Sequence, residues 1–279
     1  NLRILADNIW DYSRDDIPEA WRLIGEDPRD DVRAPQFAQL VRAFMPDVLD
    51  LQEYSLHMHQ RFYPLIRRYG YRIAYEGEEP WNNTPIFYNP ETVELVDVNY
   101  VLYAPSCWSN IGSKSYTSAV FRKKDTGRLF AVVNTHLWWK SEAAQPGSTY
   151  ARAAQVRLMM AEAEVLKNKY GCTIFVTGDM NAYEDSLPIR QFIEGGYTPC
   201  YKAATDATDN GNGHHICGPK DGYSRTSRRR SPDREKGAID HCFIYNAQEG
   251  VAVKAFDCIT ARFTVKLTDH YPYLIDAAL

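Results

Sequence analysis

Thr173-Ile174-Phe175-Val176-Thr177-Gly178-Asp179-Met180-Asn181 decides how the rest of the chain is read. An apolar, β-branched run ends abruptly in Gly, Asp and Asn. The run has the length of a buried strand, and its polar end has the composition of a turn. One such segment means little, because turns after strands are commonly built this way. Four others repeat the design: Leu2–Ala6 leads to Asp7-Asn8, Val48–Leu51 to Gln52-Glu53, Phe130–Val133 to Asn134-Thr135-His136, and Lys266-Leu267-Thr268-Asp269-His270 precedes a final apolar strand. Each sets carboxylate, amide or imidazole groups at a strand end, where a rigid scaffold presents chemistry.

Outward from these segments the pattern is many short strands with a few helices between them. Ala34–Met45 places Phe37, Leu40, Val41 and Phe44 at helical spacing, and Pro46 stops it. Thr149–Lys169 is the longest predicted helix, with Val156, Met160, Ala163 and Leu166 as its apolar stripe and Gly171 as its cap. Ser186 opens a short helix through Phe192, with Pro188 in its first turn. Strands are expected at Leu2–Trp10, Val48–Glu53, Tyr71–Tyr75, Pro85–Tyr88, Val93–Tyr103, Ser118–Arg122, Leu129–Leu137, Thr173–Thr177, Ile239–Tyr245, Val251–Ile259 and Tyr271–Ala277. Strands fill both halves and no linker divides them. The expected fold is therefore α+β, a sandwich of two mixed or antiparallel sheets flanked by helices, in one domain over residues 1–279.

Composition narrows the function. The chain has 279 residues, 44% of them hydrophobic, which is enough for a sizeable core. The formal charge of −4 excludes a molecule that is basic overall, so any nucleic-acid surface must be local. No run of about 18 apolar residues exists to span a membrane, and a soluble monomer is the expectation. The N-terminus reads directly as a strand. A leader removed before this numbering would leave the same sequence, so export stays open. The six cysteines show no C-x-x-C. Cys172, Cys242 and Cys258 lie in apolar segments and are expected as buried thiols. Cys200 and Cys217 flank a Gly- and Asn-rich loop, and a disulfide between them would suit an exported protein.

The oxygen-rich strand ends suit a hard cation, Mg²⁺ or Mn²⁺, rather than zinc. Their ordered motifs carry a resemblance. Leu51-Gln52-Glu53, Asn134-Thr135-His136-Leu137, Gly178-Asp179-Met180-Asn181, Ile239-Asp240-His241 and Thr268-Asp269-His270-Tyr271-Pro272 resemble those of the endonuclease/exonuclease/phosphatase superfamily. The likeness runs from Asn8 to the final strand. It implies a four-layered α/β sandwich and hydrolysis of a phosphate ester by activated water. By resemblance, Glu53 is the metal carboxylate, with Asn8 and Asp269 in or beside the metal shell. Asp179 directs the attacking water, and Asn181 donates to the phosphoryl oxygens. Asp240 holds His270 against the scissile phosphate, and His136 attends the leaving oxygen.

Several members of that superfamily carry a Glu that orients the first His. By spacing, Asn82 stands there, which predicts a lowered pKa or a different partner for His136. Asp7 has no counterpart and is expected as a surface charge. Arg152 opens the long helix and can reach phosphate or form a surface ion pair. Trp138, with Trp10, Tyr12 and Trp139, offers rings to a base, sugar or lipid headgroup. Arg225 belongs to a basic run, Ser224–Lys236, that can capture further phosphates or be a solvated loop. A small phosphate ester or lipid headgroup is the preferred substrate, a nucleic acid the alternative, and a non-catalytic phosphate-binding protein a minor third.

Overall fold

The computed structural model describes residues 1–17, 22, 25–77, 81–103, 114–207, 238–259, 264 and 267–279. The first sheet contains β1 (Leu2–Asn8), β2 (Val48–Gln52), β3 (Arg72–Ile73), β4 (Ile86–Tyr88), β10 (Asp206–Ala207), β12 (Ala252–Cys258) and β13 (Tyr273–Ala278), in the order β10-β12-β13-β1-β2-β4-β3. The second contains β5 (Val93–Leu102), β6 (Ser115–Lys123), β7 (Leu129–His136), β8 (Thr173–Asp179), β9 (Thr198–Pro199) and β11 (Asp240–Tyr245), in the order β5-β6-β7-β8-β11-β9. Helices α1 (Asp30–Phe44) and α2 (Leu56–Arg67) cover the first sheet. Helices α3 (Ser148–Tyr170) and α4 (Leu187–Glu194) cover the second, and α5 (Cys200–Ala203) is a single turn.

Three apolar interfaces make four layers. Leu2, Ile4, Ala6 and Val48 meet Phe121, Phe130, Val132 and Phe175 between the sheets. Leu5, Leu49 and Leu51 face the other way, onto Phe37, Val41, Phe62 and Ile66 of α1 and α2. Val133, Ile174 and Val176 face Val156, Met159, Ala163 and Leu166 of α3. Because both faces of the central strands are covered, those strands read as continuous apolar runs rather than alternating ones. The expected sandwich is the observed one.

The long helix ends on Gly171 in the left-handed conformation, as its sequence predicts. Its buried stripe runs through Met159 rather than Met160, which is only partly buried. Helix α1 begins earlier than its apolar spacing suggests, at Asp30, because its first turn is acidic and polar. Helix α2 carries no clear sequence signal. Pro64 lies inside it and three of its first five residues are His or Gln, yet Ser55 caps it by accepting from the Met58 N–H at 3.0 Å.

Parallel pairing sets the motifs side by side. Asn8 lies opposite Gln52 in the β1–β2 ladder, and His136 lies opposite Asp179 in the β7–β8 ladder. Antiparallel β11 begins where β8 ends, so Asp240 faces Asp179. Polar side chains then cross between the sheets just beneath. The Gln52 amide donates to Asn134 Oδ1 at 2.7 Å, and the Asn134 amide donates to the Leu51 and Pro85 carbonyls. The Thr177 hydroxyl donates to Asp50 at 2.7 Å, and the Tyr273 hydroxyl links the His241 carbonyl to the Gly178 N–H.

Gly178 permits that closeness. Its φ is +145°, and a Cβ there would stand 2.1 Å from the Thr135 carbonyl oxygen, a backbone atom that cannot swing away. Gly178→Ala is expected to destabilise the protein by roughly 3 kcal/mol through strain and forced strand separation. Urea unfolding would check this; an unchanged midpoint would contradict the register.

Candidate active site

Asp179 is the hub. Its Oδ2 accepts from the Asn8 amide at 2.9 Å and stands 3.5 Å from His136 Nε2 and 3.7 Å from His270 Nε2. Its Oδ1 accepts from the Asn181 backbone N–H at 2.9 Å. Burial alone would raise the carboxyl, but His270, His136 and these hydrogen bonds outweigh it and hold it well below the usual range.

Glu53 sits beside it on a left-handed backbone, φ +53°. Its Oε1 accepts from Asn8 at 3.1 Å, and its Oε2 accepts from the Asp11 N–H at 3.0 Å. The side chain is 24% exposed whereas Asp179 is 2% exposed, so the site opens to solvent on the Glu53 side. Asn8 was expected near the ion. Its oxygen instead accepts from the Trp10 N–H, and its amide hydrogens point at the two carboxylates. It holds the acids in place rather than presenting an oxygen of its own.

His270 and Asp240 form a buried pair, Nδ1 to Oδ2 at 2.8 Å. Burial works against the imidazolium, but Asp240, Asp269 and Asp179 surround it and raise His270 well above its ordinary pKa. Burial pushes the Asp240 carboxyl up to about 6, with His270 drawing it back. Near pH 7 both therefore carry charge, and His270 presents a donating Nε2–H toward Asp179. Asp269 is buried beside them, 3.8 Å from His270 Nε2.

His136 behaves differently. Lys114 Nζ stands 2.8 Å from its Nε2 and 3.0 Å from its Nδ1. Burial first, and then the ammonium, lower His136 to about 4, so it is neutral near pH 7. At that pH the imidazole charge acting on Asp179 is His270's. The substituted Asn82 does not touch His136. It bonds the Tyr75 carbonyl, Thr117 and the Thr84 N–H. The partner beside His136 is Lys114, which motif spacing does not reveal, and burial first, then its ammonium, lowers the imidazole.

Arg33 was also missed. It is fully buried and donates to the carbonyls of Ile9 (2.6 Å), Trp10 (2.9 Å) and Leu267 (2.9 Å), and to Asp30 (2.6 Å). One guanidinium thus ties the exit of β1 to the loop that carries Asp269 and His270. The Thr268 hydroxyl adds a 2.6 Å bond to the Asn8 carbonyl. No sequence pattern signals an Arg that bonds backbone carbonyls.

Other assignments need correction. Asp7 is not a surface charge but 2% exposed, with no partner for either carboxyl oxygen among the described residues. Burial raises it well above the usual range, which favours its neutral form. Arg152 is 7% exposed and donates to the Trp138 and Lys140 carbonyls, so it braces a loop rather than forming a surface ion pair. Trp138 is 4% exposed with its indole N–H on Ser148, whereas Trp139 is 54% exposed and is the ring a ligand could reach. Asn181 turns its amide to the Leu137 carbonyl at 3.1 Å. Arg225 and the basic run 224–236 lie outside the described residues, as does Cys217.

Two groups among the described residues could hold a metal ion: Glu53, His136 and Asp179, and Asp179, Asp240 and His270. The chain matches the Endonuclease/Exonuclease/phosphatase family over residues 22–270. It belongs to that family. The family comprises hydrolytic phosphoesterases, nucleases and phosphatases, and its members generally use divalent metals. Solved structures share the fold. A mannosyl-6-phosphatase of Bacteroides thetaiotaomicron VPI-5482 is 17% identical, with full coverage of both chains and a TM-score of 0.76. An endonuclease/exonuclease/phosphatase from Bacteroides vulgatus is 21% identical over 100% of this chain and 98% of its own, with a TM-score of 0.72. TDP2 of D. rerio, complexed with a single-strand DNA product, is 14% identical over 100% and 99%, with a TM-score of 0.63. No curated protein matches in a sequence search. No helix among the described residues is long and apolar enough to cross a membrane.

The Lys114 contact yields a direct test. In Lys114→Met, loss of the neighbouring positive charge should raise His136 from about 4 toward its ordinary value near 6.5. An NMR pH titration of the imidazole in EDTA-treated protein would check it. An unmoved midpoint would show that burial alone sets the shift.

Proposed function

We propose that this chain is a Mg²⁺-dependent phosphoesterase that hydrolyses a phosphate ester by in-line attack of water. One observation carries the reading: a single ionised carboxylate, Asp179, is shared by Asn8, Asn181, His136 and His270, with Glu53 beside it on the open side.

The donor set fits the ion. Two carboxylates with hard oxygens, one of them partly exposed, leave room for the waters that Mg²⁺ retains. Glu53 and Asp179 would hold it, and when bound it would polarise the phosphoryl group, as Mn²⁺ could in its place. Asp179, held below the usual carboxylate range, is a weak base that stays ionised, and it orients the attacking water by accepting its hydrogen bond. His270 donates from Nε2 to a phosphoryl oxygen, with its charge maintained by Asp240 through Nδ1. Asn181 turns its amide from the Leu137 carbonyl to a second oxygen. Neutral His136 is a poor acid, so the ammonium of Lys114 is the group that offsets charge on the leaving side, and His136 positions it. His270 and Lys114 are preorganised donors that act where charge develops, whereas Asn181 must give up its bond to the Leu137 carbonyl to join them.

For substrate, the overall charge of −4 favours a small phosphate ester or lipid headgroup over a long polyanion. Exposed Trp139 and Tyr183, each within three residues of His136 or Asn181, offer faces to a sugar ring or a base. A nucleic acid is the second reading that these rings favour.

Nitrophenyl phosphate mono- and diesters assayed with Mg²⁺, Mn²⁺ and EDTA provide the test. Activity should vanish in EDTA and return with Mg²⁺. Glu53→Gln and His270→Ala should each lower kcat/KM by about 10²–10⁴-fold with the fold retained by circular dichroism. Activity indifferent to EDTA, or intact in His270→Ala, would sink the mechanism. Sugar phosphates, inositol phosphates, sphingomyelin and oligonucleotides assayed side by side would then rank the substrate classes.

A further inference from the structure

Cys200 and Cys242 lie where no catalytic step needs them. Cys242 is on β11, two residues from Asp240, and Cys200 opens α5. The β9–β11 ladder pairs Thr198 with Ile244 and Pro199 with Phe243. Continued by one residue, the same register sets Cys200 opposite Cys242. Directly opposed residues of an antiparallel pair bring their Cβ atoms to about 4.5–5.5 Å, near the spacing a disulfide spans. The side chains complete the approach: the two sulfurs are 2.9 Å apart, closer than unbonded sulfurs normally come, and both residues are buried.

We propose that Cys200 and Cys242 are a disulfide-forming pair that clamps the strand carrying Asp240 to the Thr198–Ala203 segment. This replaces Cys200–Cys217 as the pairing to expect. The co-reactant is a small soluble disulfide such as oxidised glutathione. One cysteine thiolate attacks its S–S bond, forming a mixed disulfide and expelling one glutathione thiolate. The second cysteine thiolate attacks the protein-side sulfur and expels the other. Two protein thiols lose two protons and two electrons, and one oxidised glutathione becomes two reduced molecules. Both thiols are buried and out of reach of a soluble disulfide in the folded chain, so the exchange belongs to folding, before the sheets close over it.

The bond closes a loop between residues 42 apart, long enough for a large effect on the unfolded chain. The test is to unfold the whole chain with reductant, refold it in a mixture of reduced and oxidised glutathione, alkylate remaining thiols and map peptides without reduction. The expected product is one cross-linked pair holding Cys200 and Cys242, two hydrogens lighter than the separate peptides. Reduction should lower Tm by roughly 5–10 °C in the unsubstituted protein and leave Cys200→Ala unmoved. Complete alkylation of both residues, or Cys200 joined to Cys217, overturns the proposal. If Cys200→Ala does not fold, the peptide map of the unsubstituted chain decides alone. Neither readout uses hydrolysis, so the result is independent of the proposed activity.

Discussion

The hydrogen bonds that cross between the two sheets are the constraint on which the site depends. Apolar packing holds the layers together but is tolerant of sliding, because it has no direction. Gln52 to Asn134 and Thr177 to Asp50 are directional and buried, and a shift would leave their atoms unpaired at a cost of about 1–3 kcal/mol each. They therefore fix the relative height of β1–β2 and β7–β8. Asn134 does most of this. Within Asn134-Thr135-His136, the first residue is a strut and only the last reaches the site.

Above that layer, charge is arranged in opposition. Asp179 stands between two imidazoles that sequence alone treats as similar, with Glu53 on the His136 side. One is enclosed by carboxylates and kept charged; the other faces an ammonium and is kept neutral. Environment rather than residue type sets the two roles, as it commonly does where acid–base groups work at one site. Arg33 supplies the mechanical counterpart, binding the β1 exit to the Leu267 loop so that Asn8 and His270 keep a common frame.

Most of the strands were legible because both of their faces are buried and the apolar runs are unbroken. The long helix was legible because Gly171 ends it. Helix α2 was not, since Pro64 and its polar first turn mask a pattern that tertiary packing on Phe87 and Leu51 rescues. Asp7 was misread for a related reason. A charged residue at a strand end normally faces water, and only the enclosing loop around Asp269 and His270 reveals that this one does not.

By itself the sequence determined the layered fold, the family and the residues that could do chemistry, because strand-end motifs in a fixed order are local features that the chain carries wherever it folds. The tertiary structure alone decided who partners whom: Lys114 rather than position 82 beside His136, Cys242 beside Cys200, Arg33 beneath the loops. Each partnership joins residues far apart in sequence. Distance along a chain says nothing about distance across a sandwich until the register of its sheets is set.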